Sequence, residues 1–124
     1  MTTALSFSLS NNQDWEHEFQ LLDDNDDPIA MANSTIHMQV RESATSVNVV
    51  LEASVLNGLL SVTDADQSKI LLSVRAKRMR VIPHGTYEYD LLVERPTGRV
   101  YRPFAGSLTL SHGVTELIVT PPVT

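Results

Sequence analysis

The chain has no cysteine, which excludes disulfides, thiolate nucleophiles and Cys-ligated zinc. Aromatic residues are only 6% of its 124 residues: one Trp, three Tyr and three Phe. Too few stand near one another to build an exposed stacking platform for sugars or bases. No stretch approaches the roughly 18 to 20 apolar residues of a membrane span, and residues 1–10 lack both a basic segment and a continuous apolar core, so neither a membrane partner nor a cleaved signal peptide is expected. Positive charge is missing from the first 40 residues, which hold seven acids (Asp14, Glu16, Glu18, Asp23, Asp24, Asp26 and Asp27) and no Lys or Arg. An acidic surface repels phosphate backbones, so nucleic acid is not expected as a partner. Catalytic motifs are missing too: there is no G-x-S-x-G elbow, no H-E-x-x-H pair and no Gly-rich phosphate loop.

What the chain does have is β-branched side chains. Thirteen Val, five Ile and eleven Thr stand against eight Ala, a balance suited to pleated, half-buried surfaces. Period-two alternation follows. Trp15, His17, Phe19 and Leu21 alternate with Glu16, Glu18 and Gln20, and Ile36, Met38 and Val40 alternate with His37, Gln39 and Arg41. Residues 47–53 form a third strand, and Asn57-Gly58 and residues 64–67 punctuate two more, over residues 59–63 and 69–74. This part reads as a meander. Later, Tyr87, Tyr89, Leu91 and Val93 face one way and Glu88, Asp90 and Glu94 the other. Residues 95–98 then supply Pro96 and Gly98 to a hairpin turn into residues 99–104. Gly106 is read as a break before Leu108 and Leu110, and residues 114–119 as a last strand. Residues 75–82 fit a strand continuation, a helical turn or a crossover between sheets. The expected fold is all-β, an antiparallel β-sandwich of Ig-like or related type with eight or nine short strands. One domain covers residues 1–119, and Pro121 and Pro122 make residues 120–124 an extended tail.

Candidate chemistry is sparse. Residues 23–27 suggest calcium, but in an EF-hand register beginning at Asp23 the glycine position is Pro28 and the bidentate glutamate position is Ser34; beginning at Asp24 puts Pro28 at the third ligand. A solvated polar turn is the simpler reading. Glu16-His17-Glu18 cannot converge on one point, because successive strand residues face opposite ways; His17 is read as interior. His37 falls on a polar strand face, and His84 and His112 fall in turns. Glu88 and Asp90 share a strand face, the pattern of a solvated surface rather than of a glycosidase pair. Arg75, Lys77, Arg78 and Arg80 put four cations into six residues. They read either as a solvated strand edge or loop, whose charges block unwanted strand pairing, or as the candidate interaction patch, for which the acidic N-terminal third of another copy is a suitable partner. No catalytic residue, cofactor, metal ligand or small-molecule substrate is assigned.

From residue 82 to residue 115 the order of punctuation is more specific: Pro83-His84-Gly85-Thr86-Tyr87-Glu88-Tyr89-Asp90-Leu91, then Pro96-Thr97-Gly98-Arg99-Val100-Tyr101-Arg102, then Gly106-Ser107-Leu108-Thr109-Leu110, then Gly113-Val114-Thr115. This pattern resembles that of small β-sandwich structural proteins of tailed bacteriophages and prophages. The positions that carry the likeness are Gly85, Tyr87, Tyr89, Asp90, Leu91, Gly98, Gly106, Val114 and Thr115. The earlier strands at Trp15 and residues 36–41 extend it over nearly the whole chain, while the basic segment at residues 75–80 departs from it. The resemblance implies a non-enzymatic tail, baseplate or fibre-attachment component, made in the bacterial host cytoplasm, incorporated in the virion and acting by contacts with other virion proteins, as a homo-oligomer. A carbohydrate-binding sandwich is the alternative.

Overall fold

Alternating burial generates the strands seen in the computed structural model, which describes residues 2–115. In order they are β1 (Thr3–Ala4), β2 (Phe7–Ser10), β3 (Trp15–Gln20), β4 (Thr35–Arg41), β5 (Val49–Ser54), β6 (Leu60–Asp64), β7 (Lys69–Val74), the one-turn helix α1 (Ala76–Met79), β8 (Gly85–Glu94) and β9 (Val100–Ser111). One sheet runs β1-β9-β8-β4-β5, with β2 also paired to β9; the other runs β3-β7-β6. Their inner faces enclose a core that includes Trp15, Phe19, Met38, Leu72, Leu91 and Leu108. The fold is the expected β-sandwich. Its strand order is the immunoglobulin type, with β9, β8, β4 and β5 standing for strands G, F, C and C′, and β3, β7 and β6 for B, E and D.

Four features depart from what the sequence pattern predicts. First, the chain does not meander: Asn57-Gly58 carries it from β5 in one sheet to β6 in the other, and α1 carries it back from β7 to β8. Asn57 serves this corner through its side chain, which accepts from the N–H groups of Ser54 and Leu59 and donates to the Glu52 carbonyl. Second, residues 3–10, which lie outside every expected strand, pair with β9 in parallel, so the sheet is not wholly antiparallel. Third, Gly106 does not end a strand. It lies within the twelve-residue β9, and the interruption falls on the neighbour instead, between β1 and β2, where Leu5 passes close to it. Fourth, Val114 and Thr115 lie beyond β9 in no strand; the rest of the predicted last strand, with the Pro121-Pro122 tail, lies outside the described residues.

Two tyrosines tie the sheets to their connections. At the start of β8 the Tyr87 hydroxyl donates to the Pro83 carbonyl at 2.6 Å, the tyrosine corner of immunoglobulin-type sandwiches. Two residues later the Tyr89 hydroxyl reaches past β9 and donates to the Leu5 carbonyl at 2.6 Å. Burial raises both phenols above their ordinary pKa, Tyr89 to about 12, and Tyr87 with the added repulsion of Glu42. An unfolded tyrosine ionises near about pH 10. Above that value the unfolded chain loses a proton that the folded chain keeps, so stability is fully present below about pH 10 and falls as pH rises towards about 12. Thermal midpoints measured across this range should show that decline, and Tyr89→Phe should make it shallower. A midpoint independent of pH would contradict the burial of these hydroxyls.

Candidate functional site

The chemistry-bearing side chains gather on the outer face of the six-stranded sheet, because the alternation that buries Tyr87, Tyr89, Leu91 and Val93 turns Glu88, Asp90, Leu92 and Glu94 outward. Register places the outward residues of β4 and β5 beside them: Gln39 pairs with Asp90 on one side and Glu52 on the other. A bulge completes the arrangement. Between the pairs Leu91–Phe104 and Val93–Tyr101, Leu92 alone stands opposite Arg102 and Pro103. Pro103 has no N–H to give the ladder, so it is accommodated where the ladder is already relaxed. The bulge aims Arg102 along the outer face, where its Nε donates to Asp90 Oδ2 at 3.1 Å.

These residues line an open groove of about 680 Å³, floored by Gln39, Asp90, Leu92 and Ser107 and walled by Ser43 and Ala44 of the β4–β5 loop. The loop is fixed from below. Glu88 Oε2 accepts the Ala44 N–H at 2.5 Å, and Arg41 donates to the Ser46 carbonyl at 2.8 Å and to Gln39 Oε1 at 2.7 Å. Past Gln39, Asp90 and Leu92 the groove continues into a hollow of about 410 Å³ bordered by His37, Glu52, Glu94 and Val100. His37 Nδ1 lies 3.9 Å from Glu52 Oε1. Glu88 and Asp90 therefore do share a face, as the alternation requires, and each is engaged with a neighbour. Among the described residues no three His, Cys, Asp or Glu side chains cluster to hold a metal ion.

The basic segment is divided. Arg75 lies 3.4 Å from Asp14, Arg80 is half-buried, and Lys77 and Arg78 stand exposed on α1. Asp14 also accepts the Ala76 N–H at 2.6 Å. One acidic residue of the N-terminal third thus caps the helix that carries the basic cluster, a contact made within the chain. Loss of a capping carboxylate costs about 1 kcal/mol. Asp14→Ala should lower the urea midpoint accordingly while Asp14→Asn, which keeps an acceptor, retains most of the stability; equal losses would assign the effect to charge alone.

The other acids are dispersed. Asp23 Oδ1 accepts the N–H groups of Asn25 and Asp27, closing the turn on itself. Glu18 accepts from the Thr63 hydroxyl. His17 is half-buried with its ring edge-on to Phe7 and Phe19, while His84 and His112 are exposed in turns, 6.0 Å apart. Of the positions that carry the sequence resemblance, Tyr87, Tyr89 and Leu91 are core. Gly98 closes the β8–β9 turn at φ 88°, Gly85 begins β8, and Asp90 lies in the groove.

No family model matches the chain, and no curated protein matches it. Among solved structures it is similar to CopC from Methylosinus trichosporium OB3b, at 6% identity with a TM-score of 0.43, over 88% of this chain and 89% of that one. It is also similar to extracellular domains 3-5 of Drosophila OTK, at 12% identity with a TM-score of 0.34, over 89% of this chain and 33% of that one. Neither likeness carries a functional inference.

Proposed function

We propose that the chain is a non-enzymatic structural component of a phage or prophage virion, placed in the tail, the baseplate or a fibre attachment, and that it works through protein–protein contacts. The specific assignment comes from the order of glycines and strand aromatics over residues 82–115. The observation that carries the contact role is the outer face of the six-stranded sheet, a long open groove whose Arg41, Glu88, Asp90 and Arg102 are committed to neighbouring groups. Side chains held in this way present a fixed relief to a partner at little further ordering cost. Tailed particles purified after induction of the source culture should contain the chain at a fixed copy number by quantitative mass spectrometry, with immunogold label on the tail. Particles devoid of it would overturn the assignment.

The second reading, a carbohydrate-binding module, is favoured by the amide, guanidinium and hydroxyl groups of Gln39, Arg102, Ser6 and Ser107 along the groove. Binding on a glycan array that is lost in Arg102→Ala would select it.

A further inference from the structure

Resting on the contact role just proposed, we infer that the chain docks head-to-tail on a second copy of itself, the exposed turn Lys77-Arg78 with Val81 entering the hollow at the far end of the outer sheet face. Two surfaces carry the inference. The first is apolar with a cationic rim: Val81 is 67% exposed, on the turn that leaves α1, four and three residues after the exposed Lys77 and Arg78. The second is apolar with an anionic rim: Leu92 and Val100, 37% and 53% exposed, lie among Glu52, Asp90 and Glu94. Asp90 is held by Arg102, and Glu52 has His37 Nδ1 at 3.9 Å and the Gln39 amide at 3.4 Å.

The complementarity is of size as well as charge. A hollow of about 410 Å³ takes a valine and the aliphatic stems of two long cations, while their charged ends reach the carboxylates at its rim. Oppositely charged rims around small apolar centres steer approach and fix register.

The two surfaces are different and far apart. α1 precedes Gly85, the first residue of β8, and the hollow is centred on Leu92 of the same strand, so seven strand residues separate them by about 23 Å. Made reciprocally across a two-fold axis these contacts would close a dimer; made with different neighbours they cannot. Each copy offers a turn to one neighbour and a hollow to another, the heterologous arrangement that closes into a ring or continues as a filament. The partner of the basic turn is thereby the outer sheet face rather than the acidic N-terminal third, whose Asp14, Glu18 and Asp23 already serve contacts within the chain.

Charge exchange tests this. In sedimentation velocity, the full chain at low salt should form oligomers larger than dimers that grow with concentration and weaken as salt is added. The variant Lys77→Glu with Arg78→Glu and the variant Glu52→Lys with Glu94→Lys should each associate more than about tenfold more weakly, with unchanged circular dichroism and thermal midpoints. Mixed in equal amounts they should recover assembly in alternation, since the reversed turn of one complements the reversed hollow of the other and the two unreversed surfaces complement each other. A wild-type chain that stays monomeric at millimolar concentration and low salt overturns the inference, as do oligomers indifferent to either reversal. Neither result touches the virion assignment, which stands or falls with the chain's presence in purified particles.

Discussion

Gly106→Ala is expected to cost about 3 kcal/mol of stability, a drop of roughly 10 °C in melting temperature for a domain of this size. A Cβ at Gly106 runs into the Leu5 carbonyl oxygen, and lies 2.7 Å from the carbon of that carbonyl and 3.2 Å from Ser6 Oγ. The obstacle is backbone, and it is held from two sides: the Leu5 N–H donates to the Ala105 carbonyl at 3.0 Å, and the Leu5 carbonyl accepts from Tyr89. No rotamer change relieves the overlap, so β1 and β2 must lift from β9. Lifting withdraws Phe7 from its edge contacts with Trp15, His17 and Phe19. Amide exchange should therefore accelerate first along β2, at its pairs with residues 108–111, and calorimetry should report the lowered midpoint. A melting temperature within about 2 °C of wild type would mean that the N-terminal segment does not run beside Gly106.

That glycine marks where sequence reading stops. Alternation is a local property, so the inward faces of β3, β4 and β8 are legible residue by residue: Trp15, Phe19, Ile36, Met38, Tyr87 and Leu91 all lie where period two puts them. Glycine, by contrast, has two uses with the same spelling. Gly98 frees a turn at positive φ, whereas Gly106 yields space to the link between β1 and β2, about one hundred residues earlier in the chain, and nothing near it in sequence distinguishes the cases. The same limit applies to Asn57-Gly58. A hairpin and a corner between sheets place the same demands on the turn itself, and only the partner of the following strand, β7 rather than β5, separates them. Residues 7–10 are hard to read as a strand because Phe7-Ser8-Leu9-Ser10 is short and lacks β-branched residues, and its partner is the distant β9.

The tyrosine corner does have a local signal: a tyrosine four residues after Pro83, at the head of an alternating strand, within reach of the carbonyl it binds. Asn11 has none. It is buried, with its amide donating to the Ile82 carbonyl and accepting from the Gly113 N–H, and so it staples three connections that are adjacent only after folding. The groove is likewise beyond the reach of local pattern. Glu88 and Asp90 are visible as one face, but Gln39, Glu52 and Arg102 join them only through the order β9-β8-β4-β5 and the bulge at Leu92. The basic segment is visible as composition; its division into paired Arg75, half-buried Arg80 and exposed Lys77 and Arg78 depends on α1 and on Asp14, which stands just before β3, the strand beside β7.

Phe19→Ala is expected to be more damaging still, at about 4 kcal/mol, against a change within about 0.5 kcal/mol for Glu18→Gln next to it. Phe19 comes from the three-stranded sheet and meets rings of the six-stranded one: Phe104 at 4.9 Å and Phe7 at 6.3 Å between centroids. Removing it leaves a cavity where the two layers touch. The strands around it, β3 and β7, are paired along six residues and cannot close the gap without shifting a whole ladder. Glu18 points the other way, to solvent and the Thr63 hydroxyl, and glutamine keeps an acceptor there. The contrast between adjacent residues therefore measures the pleat directly. Urea unfolding followed by Trp15 fluorescence gives both values, because Trp15 lies on the same inner face and is 1% exposed. Equal losses at the two positions, or the larger one at Glu18, would mean that β3 is shifted by one residue. Its inner face would then be the acidic one, and the sandwich could not close over an apolar core.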